Sequence, residues 1–389
     1  MLPPKSSLTD RKLPLVDFVK NKFVNLNFEN TLIIAAQHLY SSTYVMFKAL
    51  FELKLKPDNL YVIGKCYSTD PNVYAQLQED GVKVSPLSLK FDSHISYDKD
   101  FENSLEIFLK EIEEKVVFEK FEKIIVLDDG GHLLSKINKK FKKDVKIIGI
   151  EQTSSGYNRL KNKHIFFPIV NMARSWIKLQ YESPIITQLA YKKIMEKILN
   201  IKIKPQKVLI LGNGVIGKQI YSDLKKTKKF ELSMYDVDHD NSDFRVLKKH
   251  LSKFDLIIGC SGETSLSPSH FKFFKKNAIL ASISSSDREF DAVSFRKLCP
   301  QIFNCHTTLK VNDTYLLNCG FPINFDKDFD LIDTDDFQLT RGLVLASLCQ
   351  ARLVNSTANG WLQINENIQQ FILKEWKKLG KSRFMNEKP

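Results

Sequence analysis

The stretch Val208-Leu-Ile-Leu-Gly212-Asn-Gly214-Val-Ile-Gly217 decides the fold. Four apolar residues read as a buried strand, and GxGxxG then opens a helix. In such a turn the first glycine makes the tight bend and the second lets backbone approach a pyrophosphate. The third lets helix and strand pack closely. The helix start then offers free N–H groups and a positive dipole end to the phosphates. Asp236 ends the next apolar run, about 20 residues on, where a carboxylate accepts hydrogen bonds from an adenosine ribose and repels a 2′-phosphate. Gly212, Asn213, Gly214, Val215, Ile216, Gly217 and Asp236 therefore predict a Rossmann unit that takes NAD rather than NADP.

Working outward, short apolar runs alternate with longer amphipathic stretches. Upstream the runs are Thr31–Ala36, Leu60–Gly64, Val82–Ser85, Lys123–Asp128 and Lys146–Ile150, with helical patterns at Ser42–Glu52, Pro71–Glu79 and Phe101–Phe121. This rhythm predicts a parallel sheet covered on both faces. Ser183-Pro184 reads as the start of a long helix, Ile185–Leu199, with proline in its first turn. Downstream, strands are expected at Leu232–Asp236, Leu256–Gly259 and Ala278–Ile283. Helices are expected at Gly217–Lys225, Phe244–Leu251, Phe337–Val354 and Trp361–Trp376, and Ile302–Asn318 reads as extended with a turn at Asn312-Asp313. The fold class is α/β, with two doubly wound domains. One is a discontinuous substrate domain, 1–184 with 327–358 returning to it. The other is the Rossmann domain, 185–326, and 359–389 is left as a C-terminal helix and tail. The cleft between domains is the expected site.

Composition is that of an ordinary globular chain: 389 residues, 43% hydrophobic and 26% charged. That length exceeds what one core usually supports. The net charge of +13 comes from scattered lysines without interleaved aromatics, so solvated helix ends explain it and neither nucleic acid nor membrane is implied. The six cysteines form no CxxC pair, which excludes a zinc site or a disulfide framework. No metal is expected. No apolar run reaches the roughly 18 residues of a membrane span. The polar start lacks a signal-peptide core, which places the chemistry in a cytoplasm.

Several segments, in order, resemble the S-adenosylhomocysteine hydrolase (adenosylhomocysteinase) family. They are Leu127-Asp-Asp-Gly-Gly-His132, Gly149-Ile-Glu-Gln-Thr-Ser-Ser-Gly156, Pro168-Ile-Val-Asn171 through Lys178, GNGVIG, Gly259-Cys-Ser-Gly262, Ala278 to Asp291, and Asn318. The resemblance implies a two-domain enzyme with a tightly held NAD. That NAD transiently oxidises the substrate's ribose 3′-hydroxyl so that homocysteine can leave. By this resemblance Lys178 serves 3′-hydroxyl proton transfer, Asp129 serves C4′ proton transfer, His38 is an active-site histidine and Glu182 contacts substrate. Thr153, Ser154, Ser155, Ser261 and Asn318 line the cofactor. The small-molecule partner is a nucleoside, and a homo-oligomer is implied. Read from the residues alone, Asp129 equally suits a helix N-cap, His38 a half-buried structural role, and the hydroxyls at 153–155 a helix cap.

The departures fall on the chemistry. Gln152 stands where the family has glutamate. Glu182 and Ser183 replace an aspartate and an asparagine. Ser285 replaces a histidine near the cofactor, and Gly320-Phe-Pro-Ile-Asn324 replaces Gly-His-Pro-Ser. Tyr40 and Ser42 replace the adenine-recognising threonine and glutamate, and the family's lysine–tyrosine tail has no match. One acid or base is worth about 10²–10⁴ in rate. Three readings stay open: a divergent enzyme of this type, a non-catalytic NAD-loaded or nucleoside-sensing relative, and a dehydrogenase that releases NADH.

Overall fold

The structure, a computed structural model, describes residues 11–140, 146–299, 302, 304–326, 335–355 and 359–379. The chain's tail from 380 onward lies outside them. In chain order the elements begin with α1 (Pro14–Lys22), β1 (Thr31–Leu39), α2 (Ser41–Glu52), β2 (Leu60–Thr69), α3 (Pro71–Glu79) and β3 (Lys83–Val84). Then come α4 (Tyr97–Lys115), β4 (Lys123–Asp128), α5 (His132–Lys140), β5 (Ile147–Glu151), α6 (Ser154–Leu160), β6 (Pro168–Asn171) and α7 (Trp176–Ile201). They continue with β7 (Lys207–Leu211), α8 (Val215–Thr227), β8 (Glu231–Tyr235), β9 (Leu256–Gly259), α9 (Pro268–Phe271), β10 (Ile279–Ser282) and α10 (Ala292–Lys297). The last are β11 (Leu309–Val311), β12 (Thr314–Leu316), α11 (Gln338–Leu353), β13 (Gly360–Gln363) and α12 (Glu366–Lys378).

Two compact units result, 1–90 with 102–182 and 329–389, and 91–101 with 183–328. The first unit is built on a seven-stranded sheet in the order β13-β6-β5-β4-β1-β2-β3. All its pairings are parallel. Strands β1, β4 and β5 are buried along their whole length, as the near-continuous apolar runs of a doubly covered parallel sheet require. The chain runs β1, β2, β3 to one side, then returns beside β1 and runs β4, β5, β6 to the other. The strand order therefore reverses between β1 and β4.

The second unit carries the order β11-β12-β10-β9-β7-β8, parallel except for the β11–β12 hairpin. Its reversal lies between β7 and β9. Ile194, Ile198, Val208, Ile210, Ile220, Ile258 and Ile279 fill one side of that sheet. The hairpin turns at Asn312 (φ 46°) and Asp313 (φ 60°), the doubly left-handed turn that asparagine and aspartate tolerate best.

Several expectations are corrected. Helix α7 begins at Trp176 and holds Pro184 in its interior. The buried stripe Ile177, Ile185, Leu189 keeps helical spacing across the proline, so packing outweighs the lost N–H. The middle helix begins at Tyr97, not Phe101, and ends at Lys115. Phe244–Leu251 is no helix but irregular chain leading into short 3₁₀ turns at Leu247–Lys249 and Leu251–Lys253. Phe244 instead stacks on Tyr235 and His250. Trp361 opens no helix. After Gly360 (φ 99°), Trp361–Gln363 pairs with β6, and α12 starts later, capped by Asn365. Residues 359–379 thus complete the first sheet rather than stand apart, and 91–101 groups with the second unit. Helix α11 lies where Phe337–Val354 reads as helix. It is buried nearly all round, against α1, α2, β4 and β5. Among the described residues no helix is long and apolar enough to cross a membrane.

Candidate functional site

In an open α/β sheet, ligands bind at the carboxyl ends of the strands where the strand order reverses. Each unit brings singled-out residues to that place.

In the second unit the three glycines have separate physical reasons. Gly212 is left-handed (φ 96°), and a Cβ there would come within 2.7 Å of Ser261 backbone. A Cβ on Gly217 would overlap the Gly212 carbonyl oxygen. A Cβ on Gly214 would meet nothing within 4 Å. Gly214 is also the N-cap of α8 and supplies no side chain to the helix start. Val215, the first residue of α8, is exposed. Asp236 Oδ2 accepts from Asn213 N at 2.6 Å, and Oδ1 accepts from Asp238 N at 3.0 Å. The end of β8 is thereby tied to the glycine turn.

Across the reversal, Ser261 sits beyond β9. Its N and Oγ both donate to Glu289 Oε1, at 3.2 and 2.8 Å. Glu289 is wholly buried and also accepts from Gly262 N (3.1 Å), Ser265 Oγ (2.7 Å) and Ser284 Oγ. Burial raises its carboxyl, and these hydrogen bonds pull it back. Sequence reading missed Glu289. Its only signal is an acid amid small hydroxyl residues. Asn318 and Cys319 are both left-handed (φ 49° each) and Gly320 follows at 87°. Strain of this kind costs about 1–3 kcal/mol per non-glycine residue and collects at functional sites. Asn318 is buried. Its Nδ2 donates to Phe325 O at 3.0 Å, while its Oδ1 has no hydrogen-bond partner among the described residues. Ser285, one of the departures, is exposed.

In the first unit the reversal carries a buried polar group. His38 is the penultimate residue of β1, Asp129 follows β4, Gln152 follows β5 and Lys65 lies on β2. The Lys65 ammonium and His38 Nε2 (3.4 Å) both meet Asp129 Oδ1, and Gln152 Nε2 donates to Oδ2. Gln152 Oε1 accepts from Gln37 Nε2 at 3.3 Å, and His38 Nδ1 lies 2.5 Å from Ser68 Oγ. Burial alone would raise Asp129, but Lys65 and His38 hold it well below the usual carboxylate range. Burial pushes His38 down to about 4, so it is neutral at neutral pH. An ionised carboxylate only accepts, which puts the imidazole proton on Nε2 and leaves Nδ1 to accept from Ser68.

Lys178 and Glu182 pair one helical turn apart on α7, and Glu182 Oε1 accepts from Thr340 Oγ1 at 2.8 Å. This pair makes no hydrogen bond to Asp129, so the three residues assigned to catalysis form two groups. Thr153 caps α6: its Oγ1 accepts from Gly156 N (2.9 Å) and donates to Glu151 Oε1 (2.7 Å). Ser154 and Ser155 spend no side-chain hydrogen bond among the described residues, and Ser154 is exposed. Ser42 accepts from the buried Arg341 Nε at 3.0 Å, and Tyr40 stacks near His38. Beside Asp129, Asp128 and Glu151 are wholly buried on facing strand ends. Burial raises both, Asp128 to about 7 and Glu151 well above its ordinary value. Lys65 and Arg341 were not anticipated. Lys65 falls just past Gly64, where the apolar run in the sequence ends.

Two α/β units, one of Rossmann type with its glycine turn at the strand reversal, define the class. An uncharacterised protein found in two strains of Mycobacterium tuberculosis is 35% identical over 329 residues, 84% of this chain and 65% of that protein. The chain thus spans just under two thirds of the length of these relatives. Adenosylhomocysteinase of Sulfurisphaera tokodaii is 22% identical over 279 residues, 68% of this chain and 63% of that enzyme. That of Sulfolobus acidocaldarius is 21% identical over 248 residues, 59% of this chain and 55% of that enzyme. Distant similarity to adenosylhomocysteinases is therefore a property of the chain. No protein-family model matches it. Among solved structures, NAD+-bound 3-phosphoglycerate dehydrogenase of Entamoeba histolytica gives a TM-score of 0.40 at 10% identity, over 85% of this chain and 100% of that one. That likeness is too slight to bear on function.

Proposed function

We propose that this chain is a divergent adenosylhomocysteinase-like protein whose second unit holds NAD. Its first unit then takes S-adenosylhomocysteine or a related nucleoside, which reacts through transient oxidation of the ribose 3′-hydroxyl. The observation that carries the reading is the free approach at Gly214, ahead of a helix start with no side-chain cap and beside Asp236. The unpartnered Asn318 Oδ1 supports the same fit on the nicotinamide side. NAD, when bound, supplies a hydride acceptor. The N–H groups of the 212–217 turn and of α8 would receive the pyrophosphate, and Asp236 the ribose hydroxyls. Ser261 and Asn318 would orient the nicotinamide end. Lys178, with Glu182 as its acceptor, would exchange the proton of the 3′-oxygen.

The non-catalytic reading draws on one observation: both oxygens of Asp129 are already engaged. A single series separates the two. The purified chain is denatured and its ligands weighed by mass spectrometry. NAD-loaded protein is then given S-adenosylhomocysteine and free thiol is followed. Thiol release without consumption of NAD is the expected result. Bound NAD with no thiol release would sink the hydrolase and leave the non-catalytic relative. Net accumulation of NADH would point to a dehydrogenase instead.

A further inference from the structure

Lys65 is an ammonium inside a parallel sheet, with 5% of its surface exposed. Of its three donors, only the one to Asp129 makes a side-chain hydrogen bond among the described residues. A lysine so placed is costly unless a partner and a task hold it there. Its partner is the residue to which proton transfer would be assigned by resemblance. The group is complete at the strand reversal. Asp129 accepts from Lys65, Gln152 and His38, and His38 is spent between Asp129 and Ser68. The guanidinium of Arg341, from α11, also acts on His38, and the rings of Tyr40 and Tyr67 lie beside its imidazole. Asp129 thus has three of its roughly four acceptor sites taken and a cation against it, whereas the ammonium keeps donors unspent among the described residues.

We propose that Lys65 is the positioning residue of the first unit: it fixes Asp129 as a bound counter-ion and His38 as a neutral imidazole with its proton on Nε2. The site then offers a ligand an ammonium rather than a carboxylate base, which suits a ligand oxygen that accepts hydrogen bonds. The mechanism is electrostatic. Lys65 and His38 compete for one carboxylate oxygen, and whichever carries the cation excludes the other from doing so. If Lys65 is removed, the carboxylate draws a proton onto His38. The inference rests on the proposed function only for the identity of the ligand, because the charge arrangement belongs to the protein alone.

The test therefore uses the full chain without substrate. The imidazole of His38 is followed by nitrogen and carbon NMR through a pH titration, in wild type, Lys65→Met, Lys65→Arg and Lys65→Met/Asp129→Asn. Wild-type His38 should stay neutral, with the Nε2–H signature, down to about pH 4. Lys65→Met should raise its midpoint by about 1–3 pH units, the usual effect of an opposite charge at this distance once the competing cation is gone. Lys65→Arg should restore the wild-type midpoint. Lys65→Met leaves a buried charge with a weaker partner, so its folding is checked by circular dichroism. The double variant removes both charges and keeps the comparison open: its His38 should be neutral with the Nε2–H signature lost. An unchanged midpoint in folded Lys65→Met, or an Nδ1–H tautomer in wild type, would overturn the proposal. Neither outcome depends on whether thiol is released, so failure here is distinct from failure of the proposed reaction.

Discussion

Gly214→Ala separates a binding role from a folding role at a single methyl group. The residue has φ −74° and ψ −169°, a conformation alanine adopts without strain, and nothing lies within 4 Å of the added Cβ. Folding should not suffer. Fewer unfolded conformations should stabilise the chain by about 0.4–1 kcal/mol. For a unit of this size that is a rise in Tm of at most about 4 °C. Binding should suffer, because a phosphate oxygen accepting from the turn's N–H groups lies about 2.9 Å from nitrogen. A methyl group at the point of approach then leaves no room for it. Loss of that seat should weaken NAD by at least about 100-fold, or roughly 3 kcal/mol. Gly217→Ala is the opposite control. Its Cβ would overlap the backbone carbonyl of Gly212, so Tm should fall whether or not NAD is present. Scanning fluorimetry with and without NAD reads stability, and calorimetry reads affinity. If Gly214→Ala binds NAD as wild type does while its Tm is unchanged or higher, the pyrophosphate does not approach this turn and the proposed cofactor site is wrong.

Three further outcomes are expected. Asp236→Ala should cost about 10-fold or more in NAD affinity and abolish discrimination against NADP, since the carboxylate is what repels a 2′-phosphate. A binding ratio that stays wild type would refute it. Glu289→Gln deprives the donors of Ser261, Gly262, Ser265 and Ser284 of part of their acceptor, costing about 1–3 kcal/mol, with NAD affinity falling alongside Tm. The third concerns acid. Burial holds His38 down at about 4, so between about 6.5 and 4 the unfolded chain takes the proton first and stability is lost as pH falls. Burial holds Asp128 up at about 7, so from about 7 towards its ordinary value the folded chain takes the proton and stability is gained as pH falls. The slopes oppose each other. Asp128→Asn should therefore lose more Tm than wild type between pH 7 and pH 5, and adding His38→Gln should remove the excess.

Much of the fold is legible wherever burial is uniform. The apolar runs of β1, β4, β7 and β9 name themselves because both faces of a parallel strand are covered. Asn312-Asp313 announces its turn because few residue pairs accept two left-handed conformations. Legibility fails where tertiary contact overrides local pattern. Pro184 reads as a helix start, yet a long buried stripe carries α7 through it. Trp361 reads as helix, yet the edge of the first sheet beside β6 is open and takes it as a strand. At the site, the glycine turn is visible because its chemistry is local in sequence. The Asp129 group is assembled from four strands, and its cation sits one residue beyond Gly64. Spacing alone therefore cannot bring Lys65 to it.

The departures from the family pattern also change meaning once their neighbours are known. A glutamate at position 152 would set a second carboxylate against Asp129, whose other oxygen already serves Lys65 and His38. Gln152 presents an amide instead, donating to Asp129 and accepting from Gln37. With Lys65 present, one negative charge balances one positive charge; a glutamate would leave the buried group with excess negative charge beside Asp128 and Glu151, which are already pushed towards protonation. Gln152 and Lys65 thus form a matched pair of choices. The same holds at Ser42, where the loss of an acid coincides with the arrival of the Arg341 guanidinium on its hydroxyl. Decay would leave buried charges unmatched and would not refill each vacated position with a bonded partner. A buried site with Gln152 and Ser42 where the family has acids, and with Lys65 and Arg341 bonded beside them, presents donors, which is what the proposed binding of a small molecule through acceptor oxygens requires.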